Sequence, residues 1–203
     1  MTQPVVAFWY EFASTYSFLA AERIERLAAQ RGVALAWKPF LLGVVFRKQG
    51  YDTSPFNLFP DKGRYMWRDM ERWCERLGLP LVRPEPFPQN SLAAARVALA
   101  LPDDARPAFS KALFRLEFCE GAQIADEAVL REAVLQAGEE LQPALGAART
   151  DIVKHALRRQ TEEAEALGLF GAPTLVTPDG EVFWGNDRLE EALDWAVARS
   201  GRA

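Results

Sequence analysis

The chain has 203 residues, of which 49% are hydrophobic and 26% are charged. This length and this balance are typical of one globular domain, or of one domain that carries an insertion, and they exclude an intrinsically disordered chain. With 24 Lys and Arg against 28 Asp and Glu, the net charge is −4. Because no overall basic field favours nucleic acid, we expect no nucleic-acid partner.

The amino-terminal segment and the cysteines indicate the cellular compartment in which the protein is expected. Residues 1–11 carry no Lys or Arg before a short apolar run that ends at Glu11, so the segment fails as a signal peptide. No apolar run approaches the roughly 18 residues of a membrane span. Cys74 and Cys119 are far apart in the sequence and form no Cys-x-x-Cys redox or zinc motif. We therefore expect a cytoplasmic protein with no membrane partner and no metal.

The first 40 residues predict a strand, a helix and a second strand. Residues 5–12 are apolar and aromatic, as in a buried strand, and a helical pattern then runs from Ser14 to Gly32. Residues 33–37 alternate as a second strand, which Pro39 closes. The sequence thus predicts a βαβ unit.

From Leu41 to about Leu167 the sequence predicts helices and no convincing strand. A loop rich in Gly, Pro, Ser and Asn comes first, at residues 50–60. The helical periodicities that follow cover residues 62–77, 90–101, 107–117, 126–136 and 151–167, with a proline-rich connector at 80–88. We interpret residues 41–167 as an inserted helical domain.

After Gly168 the strand pattern returns. Residues 174–177 and 181–184 flank a Pro-Asp-Gly turn and predict a hairpin, which a last helix capped by Asn186 or Asp187 follows. The order βαβ, helical insertion, ββα predicts an α/β thioredoxin-like fold. Residues 1–40 and 168–203 are the segments that we expect to form the thioredoxin-like domain.

Ser14 is the candidate catalytic residue. It lies at the start of the first helix, where free backbone N–H groups and the positive end of the helix dipole favour an anion. Thioredoxin-like oxidoreductases hold Cys-x-x-Cys at this place, and here Ser14 and Ser17 replace both cysteines, so disulfide exchange is excluded. The Ser14 hydroxyl instead suits a hydrogen bond to the sulfur of a bound cofactor. Simple helix capping is the structural alternative.

Three further segments carry candidate binding residues. Pro173 is a candidate cis proline beside which a peptide-like ligand pairs with free backbone groups; an ordinary loop proline is the alternative. At Asn186 and Asp187, helix N–H groups suit an α-carboxylate and the Asp187 carboxylate suits an α-ammonium; capping is the alternative. Lys62 opens the helix 62–77 and is assigned to anion binding.

Four motifs carry a resemblance to a known family. They are Ser14-x-Tyr16-Ser17, Lys62-Gly63-x-Tyr65, Gly171-x-Pro173-Thr174 and Phe183-Trp184-Gly185-Asn186-Asp187-Arg188-Leu189. In this order the chain resembles the kappa-class glutathione transferase and 2-hydroxychromene-2-carboxylate isomerase family, a branch of the thioredoxin superfamily. The family usually has a proline after the serine, where this chain has Thr15, but the Ser14 hydroxyl is retained.

The resemblance implies an enzyme that uses glutathione as its cofactor and acts on a small aromatic carboxylate. In such isomerases the glutathione thiolate adds reversibly to the substrate, which opens the chromene ring and allows a double bond to isomerise. The resemblance also implies a homodimer. The residues that it places at the glutathione site are Ser14, Thr53, Asn57, Lys62, Ala172, Pro173, Asn186 and Asp187.

The resemblance gives these residues different roles. Ser14 would hydrogen-bond the thiolate, and the segment at Asn186 and Asp187 would hold the γ-glutamyl end. Pro173, with Ala172 before it, would lie beside the peptide. The glycyl end or the substrate carboxylate would contact the remaining members of the set, which are Lys62, Thr53 and Asn57.

Three functions follow as hypotheses. The first is an isomerase of the hydroxychromene carboxylate type, which serves the degradation of aromatic rings. The second is a kappa-like glutathione transferase or peroxidase that uses the same site on other electrophiles. The third is a non-catalytic thioredoxin-fold module that binds a peptide at the Pro173 edge.

Overall fold

The computed structural model describes residues 3–200, apart from the side chain of Leu141. The four strands are Val5–Tyr10 (β1), Ala34–Pro39 (β2), Thr174–Val176 (β3) and Val182–Trp184 (β4). The helices are Thr15–Arg31 (α1), Leu42–Lys48 (α2), Pro55–Leu58 (α3), Pro60–Leu77 (α4), Leu92–Ala100 (α5), Arg106–Glu120 (α6), Glu127–Gln136 (α7), Leu141–Ala148 (α8), Asp151–Ala166 (α9) and Leu189–Ser200 (α10). A 3₁₀ turn, Asn186–Arg188, precedes α10.

The strands form one mixed sheet in the order β2-β1-β3-β4. Strand β1 pairs in parallel with β2, where Phe8 lies opposite Trp37, and antiparallel with β3, where Phe8 lies opposite Leu175. Strands β3 and β4 form the predicted antiparallel hairpin. All helices from α2 to α9 lie between β2 and β3 along the chain. The predicted thioredoxin-like fold with a large helical insertion is therefore confirmed.

Helix α1 begins and ends where its sequence indicates. The Ser14 side chain accepts a hydrogen bond from the Ser17 backbone N–H, and Gly32 ends the helix with a left-handed φ of 66°. The strand before it is shorter than predicted, because Ser14 N–H bonds back to the carbonyl of Glu11 and turns the chain after Tyr10. This turn places Ser14 at the end of the sheet.

Three helices and one cap differ from the sequence-based expectations. The short helices α2, α3 and α8 were not expected, and α3 interrupts the predicted loop because Ser54 caps it and Pro55 opens it. The prediction that Asn186 or Asp187 caps the last helix is wrong. Neither side chain makes a cap bond, because the 3₁₀ turn intervenes before Leu189.

The sheet, α1 and the inserted helices share one hydrophobic core. Phe12 stacks obliquely on Phe114 with ring centroids 5.2 Å apart, and Phe18 stacks on Phe118 at 5.3 Å. Phe12 and Phe18 belong to the amino-terminal segment, whereas Phe114 and Phe118 belong to α6, and all four rings are almost completely buried. Residues 41–167 therefore pack directly on the sheet-forming segment.

Residues 3–200 contain neither a membrane-spanning helix nor a cluster of metal ligands. Within that range no helix combines the length and the apolar character that a bilayer crossing requires. The same residues contain no group of three or more His, Cys, Asp or Glu placed to hold a metal ion. Cys74 and Cys119 are both free thiols, and burial raises the pKa of each to about 11, so neither is a reactive thiolate at neutral pH.

Candidate active site

A large cleft opens at the end of β1, between the sheet and the helical insertion. Its volume is about 1720 Å³, above the roughly 300–1,000 Å³ of a typical small-molecule pocket. It has room for a peptide-sized ligand and a second small molecule. All eight residues predicted for the site line this cleft: Ser14, Thr53, Asn57, Lys62, Ala172, Pro173, Asn186 and Asp187.

Ser14 is both a helix cap and part of the cleft wall. Its hydroxyl oxygen accepts the Ser17 N–H at 3.2 Å, and its proton is donated to the Ala172 carbonyl at 3.1 Å. The N–H groups of Thr15 and Tyr16 precede the first intrahelical hydrogen bond, and both residues line the cleft. The start of α1 therefore offers backbone donors and a positive dipole end to an anion.

The loop before β3 lies next to Ser14, whose hydroxyl contacts it at the Ala172 carbonyl. The Ala172–Pro173 peptide bond is cis, as the sequence suggests. The Pro173 carbonyl accepts the Gly185 N–H at 3.0 Å, which links this loop to the end of β4. At the rim of the cleft Phe170 and Trp184 form an edge-to-face pair at 4.9 Å, and about half of each side chain is exposed.

The 3₁₀ turn after β4 places an amide and a carboxylate side by side. Asn186 is only 3% exposed, and its side-chain oxygen accepts a hydrogen bond from Arg23 at 2.8 Å. Asp187 is exposed, and one carboxylate oxygen lies 3.9 Å from Nε of Arg188. The pair offers donor and acceptor groups at one end of the cleft.

Lys62, Thr53 and Asn57 line the cleft from the helical insertion, but they differ in what they can offer a ligand. The Asn57 amide nitrogen donates to Thr53 Oγ1 at 3.3 Å and to the Phe87 carbonyl at 3.0 Å, so it holds the loop in place. The Lys62 ammonium lies 4.7 Å from the centre of the Phe59 ring. Within residues 3–200 it forms no ion pair, so its charge is available to an anion.

Residues 5–194 match the DsbA-like thioredoxin domain family. The chain belongs to this family. Two curated relatives of this DsbA-like protein are enzymes. A 2-hydroxychromene-2-carboxylate isomerase of Sphingobium xenophagum is 27% identical over 91% of this chain and 94% of its own. Human glutathione S-transferase kappa 1 is 29% identical over 91% of this chain and 87% of its own.

A solved structure supports the same relationship to the isomerases. The structure of a 2-hydroxychromene-2-carboxylate isomerase superposes with a TM-score of 0.85 at 26% identity, and the match covers 98% of this chain and 96% of that one. The DsbA-like chain and this isomerase thus share their fold along nearly their whole length. The resemblance inferred from the four motifs is confirmed.

Two polar features of the cleft were missed by the sequence reasoning. The Glu11 carboxylate accepts the N–H groups of Leu42 at 2.9 Å and Ala13 at 3.3 Å, and burial raises its pKa. The Tyr16 hydroxyl donates to Asp69 at 3.1 Å, and burial raises the pKa of this phenol. An acid directly after a buried strand was the available signal for Glu11.

Gly63 allows α4 to pack closely against α3 in the wall of the cleft. A Cβ at this position would overlap the backbone carbonyl of Phe56 in α3. We expect Gly63→Ala to lower the free energy of unfolding by about 1–3 kcal/mol through overpacking. The matched control is Gly146→Ala in α8, where a Cβ meets open space and alanine should stabilise by about 0.5–1 kcal/mol. Urea titration of both variants checks the opposite signs, and a Gly63→Ala variant as stable as the wild type would contradict the contact.

Proposed function

We propose that this DsbA-like chain is a glutathione-dependent isomerase of the 2-hydroxychromene-2-carboxylate type, with a small aromatic carboxylate as its substrate. The observation that carries the proposal is the placement of Ser14, with the free N–H groups of Thr15 and Tyr16, at a helix start in the cleft wall. The isomerase name of the Sphingobium xenophagum relative supports the choice of reaction.

The residues of the cleft fit glutathione at three points. The helix start at Ser14 suits a sulfur anion, and the edge at Ala172 suits the peptide of the ligand. Asn186 and Asp187 suit the carboxylate and the ammonium of the γ-glutamyl end. These groups all line one cleft, as binding of a single tripeptide requires.

The chain's own groups divide the chemistry between binding and charge stabilisation. When bound, glutathione supplies a thiolate that adds reversibly to an unsaturated substrate. Ser14 and the first turn of α1 stabilise negative charge at the sulfur position, so the bound thiol should have a pKa below the free value of about 8.5. Lys62, which lines the same cleft, neutralises a substrate carboxylate, and the rim pair Phe170 and Trp184 provides an apolar face for an aromatic ring.

A kappa-like glutathione transferase or peroxidase is the second candidate. It is favoured by the human kappa-class relative, which is 29% identical to this chain, against 27% for the isomerase. Mass spectrometry separates the two functions when an electrophilic substrate is incubated with glutathione. A lasting conjugate indicates a transferase, whereas a rearranged substrate of unchanged mass indicates an isomerase.

The proposal is tested by calorimetric titration of reduced glutathione into the wild type and Ser14→Ala, with thiolate absorbance followed in parallel. We expect the wild type to bind with a thiolate signal at neutral pH. Because Ser14→Ala removes the hydroxyl donor, the pKa of the bound thiol should rise towards about 8.5 and the thiolate signal should weaken. The isomerase turnover of Ser14→Ala should fall together with the thiolate signal.

The matched control is Thr150→Ala. The Thr150 hydroxyl caps α9 with the same bonds as Ser14, since it accepts the Val153 N–H and donates to the Ala147 carbonyl, but it lies outside the cleft. Its replacement should cost about 0.5–2 kcal/mol of stability and leave glutathione binding unchanged. Absence of binding in the wild type would reject the proposal and favour a non-catalytic peptide-binding module.

A further inference from the structure

Arg23 is a charged side chain that the sequence reasoning did not select and the structure buries. It lies on α1 and is 8% exposed, although arginine is usually found at the surface. Its guanidinium reaches the 3₁₀ turn, where one nitrogen donates to the Asn186 carbonyl at 2.9 Å and to the Asn186 side-chain oxygen at 2.8 Å. The other terminal nitrogen donates to Glu190 at 2.6 Å.

These bonds determine which end of the Asn186 amide faces the cleft. A guanidinium has donors only, so the group that it contacts must be the amide oxygen. The amide nitrogen is then directed away from Arg23. Within residues 3–200 no protein acceptor is found for it, and Asn186 lines the cleft. Asn186 therefore presents a hydrogen-bond donor to a ligand.

The surroundings hold the guanidinium in this position. Its central carbon lies 4.8 Å from the ring centre of Trp73, which also lines the cleft. Stacking and the ion pair to Glu190 restrict the side chain on two sides. The planar guanidinium group of Arg23 has fixed partners and is therefore pre-organised. Arg23 can thus orient the Asn186 amide before any ligand binds.

We infer that Arg23 is a positioning residue that makes Asn186 a dedicated donor to the α-carboxylate of an amino-acid head group, beside Asp187, which takes the α-ammonium. This inference rests on the proposed glutathione function and deepens it. Arg23 selects ligands by their γ-glutamyl end and acts only through Asn186. Ligands that lack this end do not depend on it.

The test compares two thiol ligands by calorimetry. Glutathione carries the γ-glutamyl end, and cysteinylglycine lacks it. The variants are Arg23→Met, which keeps an unbranched side chain without donors, and Arg31→Met as the matched control. Arg31 joins the same two helices, α1 and α10, through an ion pair to Asp194 at 2.6 Å, but it lies outside the cleft.

We expect Arg23→Met to weaken glutathione binding by about tenfold or more, the factor that corresponds to about 1.4 kcal/mol. Its affinity for cysteinylglycine should remain that of the wild type, and Arg31→Met should change neither affinity. If Arg23→Met keeps the wild-type preference for glutathione, or weakens both ligands equally, the inference is wrong. A wild type that binds neither ligand overturns the proposed function, and this inference with it.

A second variant keeps the test valid if Arg23→Met does not fold. Asn186→Asp preserves the contact to Arg23 as an ion pair, so the 3₁₀ turn remains supported. It replaces the amide donor by a carboxylate that repels the ligand's α-carboxylate. We expect the same selective loss of glutathione affinity, and retention of the wild-type preference would overturn the inference.

Discussion

Replacing Glu117 by leucine is expected to raise the free energy of unfolding at neutral pH. Glu117 lies on α6 with no exposed surface, and neither carboxyl oxygen has a hydrogen-bond partner among the described residues. An unsatisfied buried polar group costs about 1–3 kcal/mol, and leucine removes it at similar size. We therefore expect Glu117→Leu to stabilise the protein by about that amount, as measured by urea unfolding at pH 7.

The effect depends on pH because burial raises the pKa of Glu117 well above its ordinary value of 4.5, and the nearby charge of Glu11 adds to the rise. Folding therefore takes up a proton, and the stability present below pH 4.5 is lost as the pH rises through the folded-state pKa. Glu117→Gln mimics the protonated acid, so it should match the wild type at acid pH and exceed its stability at neutral pH. The exposed Glu120→Gln on the same helix is the control, and an equal response of both variants would contradict this account.

Phe114→Ala should give the largest loss of stability. The ring is completely buried and lies within 6.3 Å of the rings of Tyr10, Phe12 and Phe18, centroid to centroid. Truncation of a buried phenylalanine to alanine costs about 3–5 kcal/mol. Because this ring joins α6 to β1 and α1, we expect one cooperative unfolding transition at a lower denaturant concentration.

The control for this substitution is Phe170→Ala at the rim of the cleft. Its side chain is 49% exposed, so its loss should change stability by less than about 1 kcal/mol. Circular dichroism and tryptophan fluorescence, followed together, measure both variants. Two separated transitions in Phe114→Ala would mean that residues 41–167 unfold as an independent domain, contrary to a shared core.

The sequence predicted those features that depend on local patterns. Helix α1 has a capping serine and a terminal glycine, and the hairpin has a Pro-Asp-Gly turn, so their positions follow from short segments. The four motifs contain six of the eight residues predicted for the site, all but Thr53 and Asn57, and all eight line one cleft. Helix α3 escaped detection because its four residues are too few to show a period.

Buried charges were not predictable in the same way. Arg23 and Glu117 each occupy a helical position that is typical of a solvated face, and no local pattern distinguishes them from their exposed neighbours. Arg23 is buried because Asn186 and Glu190, more than 160 residues away, provide its acceptors. Glu117 is buried by the packing of α6 on the rest of the core. Such burial depends on tertiary contacts.

The hydrogen bond from Ser14 to the Ala172 carbonyl has a consequence for ligand choice. A hydroxyl has a single proton and can donate one hydrogen bond. When Ser14 donates this bond to a sulfur anion, the carbonyl of Ala172 therefore loses its donor. A ligand with a peptide N–H next to its thiol can supply a replacement donor, whereas a simple alkyl thiol cannot. If the proposed glutathione site is correct, this exchange of hydrogen-bond partners favours peptide thiols over other thiols before any substrate is bound.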